Sequence, residues 1–138
     1  MRTIRNQRVV ATLCSVAALL SSCDSHEYKG MDGATALRKA NSMGLVESYK
    51  FYLETYKGTS PPLIQVAETF KRFGPEGAEF IERRISVSTD RQEFEAGLVA
   101  LTILDAGCGP SVLPVIKVKA AKFGLDKRYV RAACRSDD

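Results

Sequence analysis

Cysteines and carboxylates are the side chains of this 138-residue sequence whose number and spacing are suited to chemistry. Cysteines stand at Cys14, Cys23, Cys108 and Cys134, and the sole histidine is His26. A thiol nucleophile needs a base held beside it. His26 lies three residues from Cys23 in a polar stretch with no apolar period to build a fold around it. Two carboxylate groups, Glu76, Glu79 and Glu82, and Asp90, Glu93 and Glu95, have the clustering that acid–base pairs require. They fall mainly on the polar faces of predicted helices, near N-termini whose partial positive charge they complement, and are expected to be solvated. The sequence has no glycine loop for phosphate and no His-rich or Cys-rich metal spacing. No enzyme, no cofactor and no metal site are expected, which leaves the cysteines as sites of modification or oxidation.

Their position along the chain decides which. Arg2, Arg5 and Arg8 precede an apolar run from Val9 to Leu20, the layout of a secretory signal peptide. That run is too short to cross a bilayer, which takes roughly 20 apolar residues. Its end, Leu20-Ser21-Ser22-Cys23, resembles the lipobox of bacterial lipoproteins: a branched apolar residue, two small residues and a cysteine. The resemblance implies that residues 1–22 are removed and that Cys23 is lipidated, the first residue of a chain held at the cell envelope and facing the periplasm. An ordinary signal peptide with Cys23 there by chance is the alternative. In the lipoprotein family of enteric bacteria, an aspartate after the lipidated cysteine, here Asp24, goes with retention in the inner membrane; the outer membrane is the other destination.

Removal of the signal changes the charge. Of 20 Lys+Arg, three leave with it and no acidic residue does, so the remainder carries 17 against 16, a net +1. The basic pI belongs largely to the discarded segment, and nucleic acid is not an expected partner. An internal asymmetry survives. Lys117, Lys119, Lys122, Lys127, Arg128, Arg131 and Arg135 face Asp126 alone, whereas residues 47–105 hold ten acidic and seven basic residues. Such a cluster is either a solvated helix face or a contact for anionic headgroups or an acidic partner. Processing also leaves Cys108 and Cys134 as the remaining thiols, and in an oxidising compartment two thiols suggest a disulfide, with a free buried pair as the alternative.

The elements that must position these residues read as helices. Residues 23–32 form a polar, glycine-containing tether, and residues 33–138 suffice for one domain. Leu63, Val66, Ala67, Phe70 and Phe73 form one amphipathic stripe whose start is marked by Thr59, Ser60, Pro61 and Pro62. Leu45, Tyr49, Tyr52, Leu53 and Tyr56 form another, ended by Gly58. Thr89-Asp90-Arg91-Gln92 fits a capping box, and the helix it starts, through Phe94, Leu98, Leu101 and Leu104, is closed by Gly107 and Gly109. Ala78, Ile81 and Ile85 mark a further helix, and the β-branched run from Val112 to Val118 leaves helix and strand both open. The expected fold class is all-α, built from antiparallel helical hairpins.

Phe73-Gly74-Pro75 and Cys108-Gly109-Pro110 lie 35 residues apart, and the same shift places Leu63 on Leu98, Val66 on Leu101 and Ile81 on Ile116. Two helix–turn–helix copies with this period resemble the short α-solenoids, HEAT-like repeats most of all; a small helical bundle is the other arrangement. On this layout one helix leaves the Cys108 end over ~16 Å and a return segment covers ~12 Å. Cys134 therefore comes back near Cys108, and a bridge across the intervening 25 residues would contribute ~3 kcal/mol by loop entropy.

Tyr49, Phe51, Tyr52 and Tyr56 crowd one helix, and Phe51 lies near 200° from Tyr49 at 100° per residue. One ring is expected to point outward into a protein-binding patch, unless residues 34–43 cover it. Phe51, Tyr52 and Tyr56, with Lys127, Arg128 and Arg131, are thus the expected partner-binding residues. The resulting expectation is a lipid-anchored extracytoplasmic protein-interaction lipoprotein, bound to the membrane through Cys23. A periplasmic immunity or inhibitor protein that neutralises an envelope-targeted toxin or hydrolase is the alternative.

Overall fold

Asp32 fixes where the helical region begins. Its carboxylate accepts the Thr35 N–H at 2.8 Å and the Thr35 hydroxyl at 3.0 Å, satisfying a first-turn amide of α1, Gly33–Ala40. The computed structural model describes Tyr28 and residues 30–136, and the chain divides into two units, Met1–Met31 and Asp32–Asp138. Seven helices, all in the second unit, and no strand are found among the described residues. The domain is all-α. The arginine-led run, Cys14, the lipobox with Cys23, and His26 lie outside the described residues.

After α1 the Gly44 N–H donates to the Glu47 carboxylate at 3.3 Å and α2 runs over Leu45–Gly58. The next element, Ile64–Phe73, corrects the sequence reading: it is a 3-10 helix, not an α-helix. Runs of this length are uncommon in that form. Val66 and Thr69, and Ala67 and Phe70, are buried, and their spacing of three suits a period of 3.0 as well as 3.6, so periodicity does not separate the two. Gly74, at φ 59°, then turns the chain so that Pro75 opens α3, Pro75–Val87, where its missing N–H costs nothing.

The start of α4, Arg91–Leu104, lies one residue beyond the expected capping box: Asp90 rather than Thr89 is the cap, accepting the Gln92 and Glu93 N–H groups at 2.8 and 3.3 Å. Its end is closed by Asp105 in the left-handed conformation, φ 54°, ahead of Gly107; a short polar side chain tolerates that conformation. The β-branched run resolves as helix in α5, Leu113–Lys122. Asp126 caps α6, Lys127–Cys134, by accepting the Arg128 N–H at 2.9 Å.

One row of elements packs in alternation, and neighbours in sequence pack as well, α3 on α4 most extensively. α1 lies on the 3-10 helix, the 3-10 helix on α4, and α4 on α6, while α3 lies on α5. The 35-residue shift is imperfect at the turns. Pro75 is the first residue of α3, whereas α5 starts only at Leu113, three residues past Pro110. Tyr52, Phe70, Phe94, Ile81, Ile85, Leu98, Leu101 and Ile116 fill the core. α3 and α4 approach closely at Gly97, where a Cβ would stand 2.1 Å from Ile85 Cγ2.

The outward ring expected on α2 is overturned for Phe51 and Tyr52, which are 3% and 0% exposed. Lys39 of α1 carries its ammonium 5.3 Å from the Phe51 ring centroid, so the preceding helix reaches over the ring, the alternative the sequence left open. Tyr52 turns into the core, donating its hydroxyl to the Ala96 carbonyl at 2.8 Å and meeting Phe70 edge-on at 5.9 Å. Tyr56 is half-buried, with its hydroxyl 3.5 Å from Glu95 Oε1.

Candidate functional site

Cys108 and Cys134 are joined by a disulfide with a Cα–Cα separation of 4.4 Å. α6 returns to the end of α4, as the helix lengths predict. The same junction holds a second clasp: Arg135 Nε donates to Asp105 Oδ1 at 2.7 Å, joining the two residues that end α6 and α4 in left-handed conformations. The pairing holds the Asp105 carboxyl below its usual range. The C-terminal third of the domain, α5 and α6, is thereby fastened to α4.

The basic cluster lies on these fastened helices. Lys122, Lys127, Arg128 and Arg131 are exposed, and Lys117 and Lys119 are half-buried. Arg128 stays beside its own cap, with Nε 3.0 Å from Asp126 Oδ2. Tyr129, on the same helix, is 45% exposed. Between α5 and α6 lies a groove of ≈ 400 Å³ lined by Ala120, Ala121, Leu125 and Val130 together with Lys117 and Lys127. The groove thus joins an apolar floor to basic side chains, a composition suited to anchoring an acidic partner.

The carboxylates divide in a way the sequence did not anticipate. Glu76, Glu79 and Asp90 are exposed, as expected, but Glu82 is only 8% exposed and corrects that reading. Its oxygens accept the Gly109 N–H at 3.3 and 3.4 Å, so it braces the loop next to Cys108. Burial, reinforced by Glu79, raises its pKa despite the opposing Gly109 bond. Glu93 is likewise drawn inward, accepting from Ser88 Oγ at 2.7 Å, Tyr49 Oη at 3.0 Å and Arg84 Nη2 at 3.1 Å. Burial pushes its carboxyl up, but these three donors outweigh burial and hold it below the usual range. Burial first, then the Glu93 charge, pushes the Tyr49 phenol well above its ordinary value. An anion with three fixed donors is a brace between α2, α3 and α4 rather than a free base.

Neither carboxylate could be singled out from local sequence, because the Gly109 donor to Glu82 lies 27 residues away and the Tyr49 donor to Glu93 lies 44 away. Among the described residues no group of His, Cys, Asp and Glu is placed to hold a metal ion, and no helix is long and apolar enough to cross a membrane. Comparison with protein-family models, with curated proteins and with solved structures finds no match to this chain.

Proposed function

We propose that the chain is a bacterial lipoprotein, anchored through Cys23 and facing the periplasm, whose HEAT-like helical domain holds an acidic protein partner on α6 and the neighbouring groove. The observation that carries this reading is the Cys108–Cys134 disulfide. Such bonds persist in oxidising compartments, which is where the arginine-led signal and lipobox would deliver the domain. Two unrelated parts of the sequence thus agree on one location. The stacking of alternate helices supports the solenoid part of the reading, since each repeat then buries its face against the next.

Lys127, Arg128 and Arg131, with the exposed Tyr129 between them, are the residues that would carry partner binding; arginine and tyrosine are the types that dominate interface energetics. Phe51 and Tyr52 no longer belong to the set, and Tyr56 contributes at most an edge. Two measurements test the proposal. Metabolic labelling with an alkyne fatty acid should mark the full chain and not the Cys23→Ser variant; equal or absent labelling of both refutes the anchor. Photocrosslinking from position 131 in intact cells should yield one protein adduct, lost in an Arg128→Glu/Lys127→Glu background. An adduct with an envelope-directed toxin or hydrolase would narrow the function to immunity, and no adduct would refute the partner.

A further inference from the structure

We infer that the outward face of α5 docks on the anionic headgroups of a lipid bilayer. α5 buries Ile116 and Ala120, so its opposite face should be polar if it simply met water. It is not. Val115 and Val118 are 42% and 70% exposed, and Val87, at the end of α3, is 71% exposed. Val115, Val118 and Lys122 follow one another at i, i+3 and i+7 on a single face. With Pro114, Phe123 and the Ser88 corner, they line an open groove of ≈ 550 Å³.

The composition of this face selects its partner. Leu113–Lys122 contains three lysines and no acidic residue. Its exposed residues are aliphatic or lysine, without tyrosine or arginine. Protein interfaces are depleted in lysine and alanine and draw their energy from aromatic rings and arginine, which is the character of α6 and not of α5. Aliphatic side chains flanked by lysines instead suit a bilayer surface, where the valines enter the boundary region and the lysine stems keep their ammonium groups at the headgroups. Lys119 is partly committed, since its ammonium lies 2.5 Å from the Ser88 carbonyl, and Lys117 lines the groove on the α6 side, which leaves Lys122 as the charge to vary on this face. The inference rests on the anchored reading for its location only: from Cys23 to Asp32 the chain reaches at most about 30 Å, which would keep the helical domain close to a bilayer.

The test uses the chain from residue 23 onward with Cys23→Ser, so that no lipid contributes. The sequence has no tryptophan, and Val118→Trp therefore gives a single reporter at an exposed position. The expected result is a blue-shifted emission and cosedimentation with phosphatidylglycerol-containing vesicles but not with pure phosphatidylcholine, both weakening with salt. The chain that keeps Val118 should cosediment in the same way. Lys122→Gln should lower partitioning about fivefold, the effect of one lysine near an anionic surface, and Lys122→Glu further, with helical circular dichroism unchanged. No blue shift on anionic vesicles, equal binding to neutral ones, or indifference to the lysine substitutions overturns the inference. Binding of an acidic peptide at Val118→Trp with none to vesicles does so too, and moves the face to a protein partner. Failure of fatty-acid labelling at Cys23 would refute the anchor and leave this measurement untouched.

Discussion

Replacing Gly97 by alanine should destabilise this protein, the reverse of what a helix-interior glycine ordinarily does. Alanine gains about 0.8–1 kcal/mol over glycine in a helix, and nothing in the α4 backbone opposes it, because Gly97 sits at ordinary negative φ. The opposition comes from α3. A Cβ at position 97 would lie 2.1 Å from Ile85 Cγ2, with Ile85 Cβ at 3.4 Å and Ile81 Cγ2 at 3.6 Å. Ile81 and Ile85 are fully buried, so the methyl cannot be relieved by a side chain swinging into water. Overpacking of a closed core costs about 1–3 kcal/mol, and after the propensity gain the net loss is about 0–2 kcal/mol, with the 2.1 Å approach placing it toward the upper end. In a domain near this size that lowers Tm by about 4–8 °C per kcal/mol. Urea melts of G97A, I85L and the double variant supply the measurement, since leucine carries no Cγ2 and removes the clash. The coupling should be favourable by about 1 kcal/mol or more. Gly58, at the end of α2 with nothing within 4 Å of a built Cβ, is the control, and G58A should stabilise by about 0.4–1 kcal/mol. If G97A stabilises as G58A does, or if I85L fails to rescue it, the close approach of α3 and α4 is not what requires glycine.

Three further outcomes are expected. E82Q should be more stable than the parent at pH 7, with the difference closing below about pH 4: a folded pKa raised by burial means that stability is full below the unfolded pKa, near 4.3, and falls as pH rises through the folded one. E93Q should show the opposite sign, because its folded pKa is depressed; stability present above the unfolded pKa is lost as pH falls through the folded value, so the variant is weakest relative to the parent at neutral pH. Urea melts at pH 3.5 and 7 check both, and like signs would refute the assignments. Opening the Cys108–Cys134 bridge, whose partners are 26 residues apart, should cost about 3 kcal/mol by loop entropy, read as a drop in the urea midpoint of C108S/C134S; two thiols reactive in the untreated folded chain would contradict the bridge.

The parts of the fold that were legible in the sequence are those governed by short-range chemistry. Glycine and proline at residues 74–75 announce a helix boundary because one permits a positive φ and the other suits a first turn, and the structure uses both in that way. The Cys108–Cys134 pairing was suggested by the two thiols left after processing, and helix lengths brought them within reach because rise per residue is nearly constant. What escaped depends on contacts between distant segments. An apolar spacing of three does not distinguish a 3-10 helix from an α-helix over Ile64–Phe73. Polar-face position misjudged Glu82 and Glu93, because a buried carboxylate is identified by its donors, and Gly109 and Tyr49 lie on other elements. The rings of α2 were too many for one stripe, but only the tertiary structure shows Lys39 reaching over Phe51. On the candidate face, the basic cluster was visible as charge. The exposed valines of α5 were visible only as β-branched residues of uncertain conformation.

The bridge between Cys108 and Cys134 also changes the covalent topology of the molecule. Residues 108–134 form a closed ring that contains α5 and α6 whole. A protease that cuts once inside this ring releases no fragment: the product gains one water and remains a single unreduced species. Where the cuts fall inside the ring, removing a helix takes two of them, or one and a reductant, so the surface carried on the ring outlasts a first nick made there.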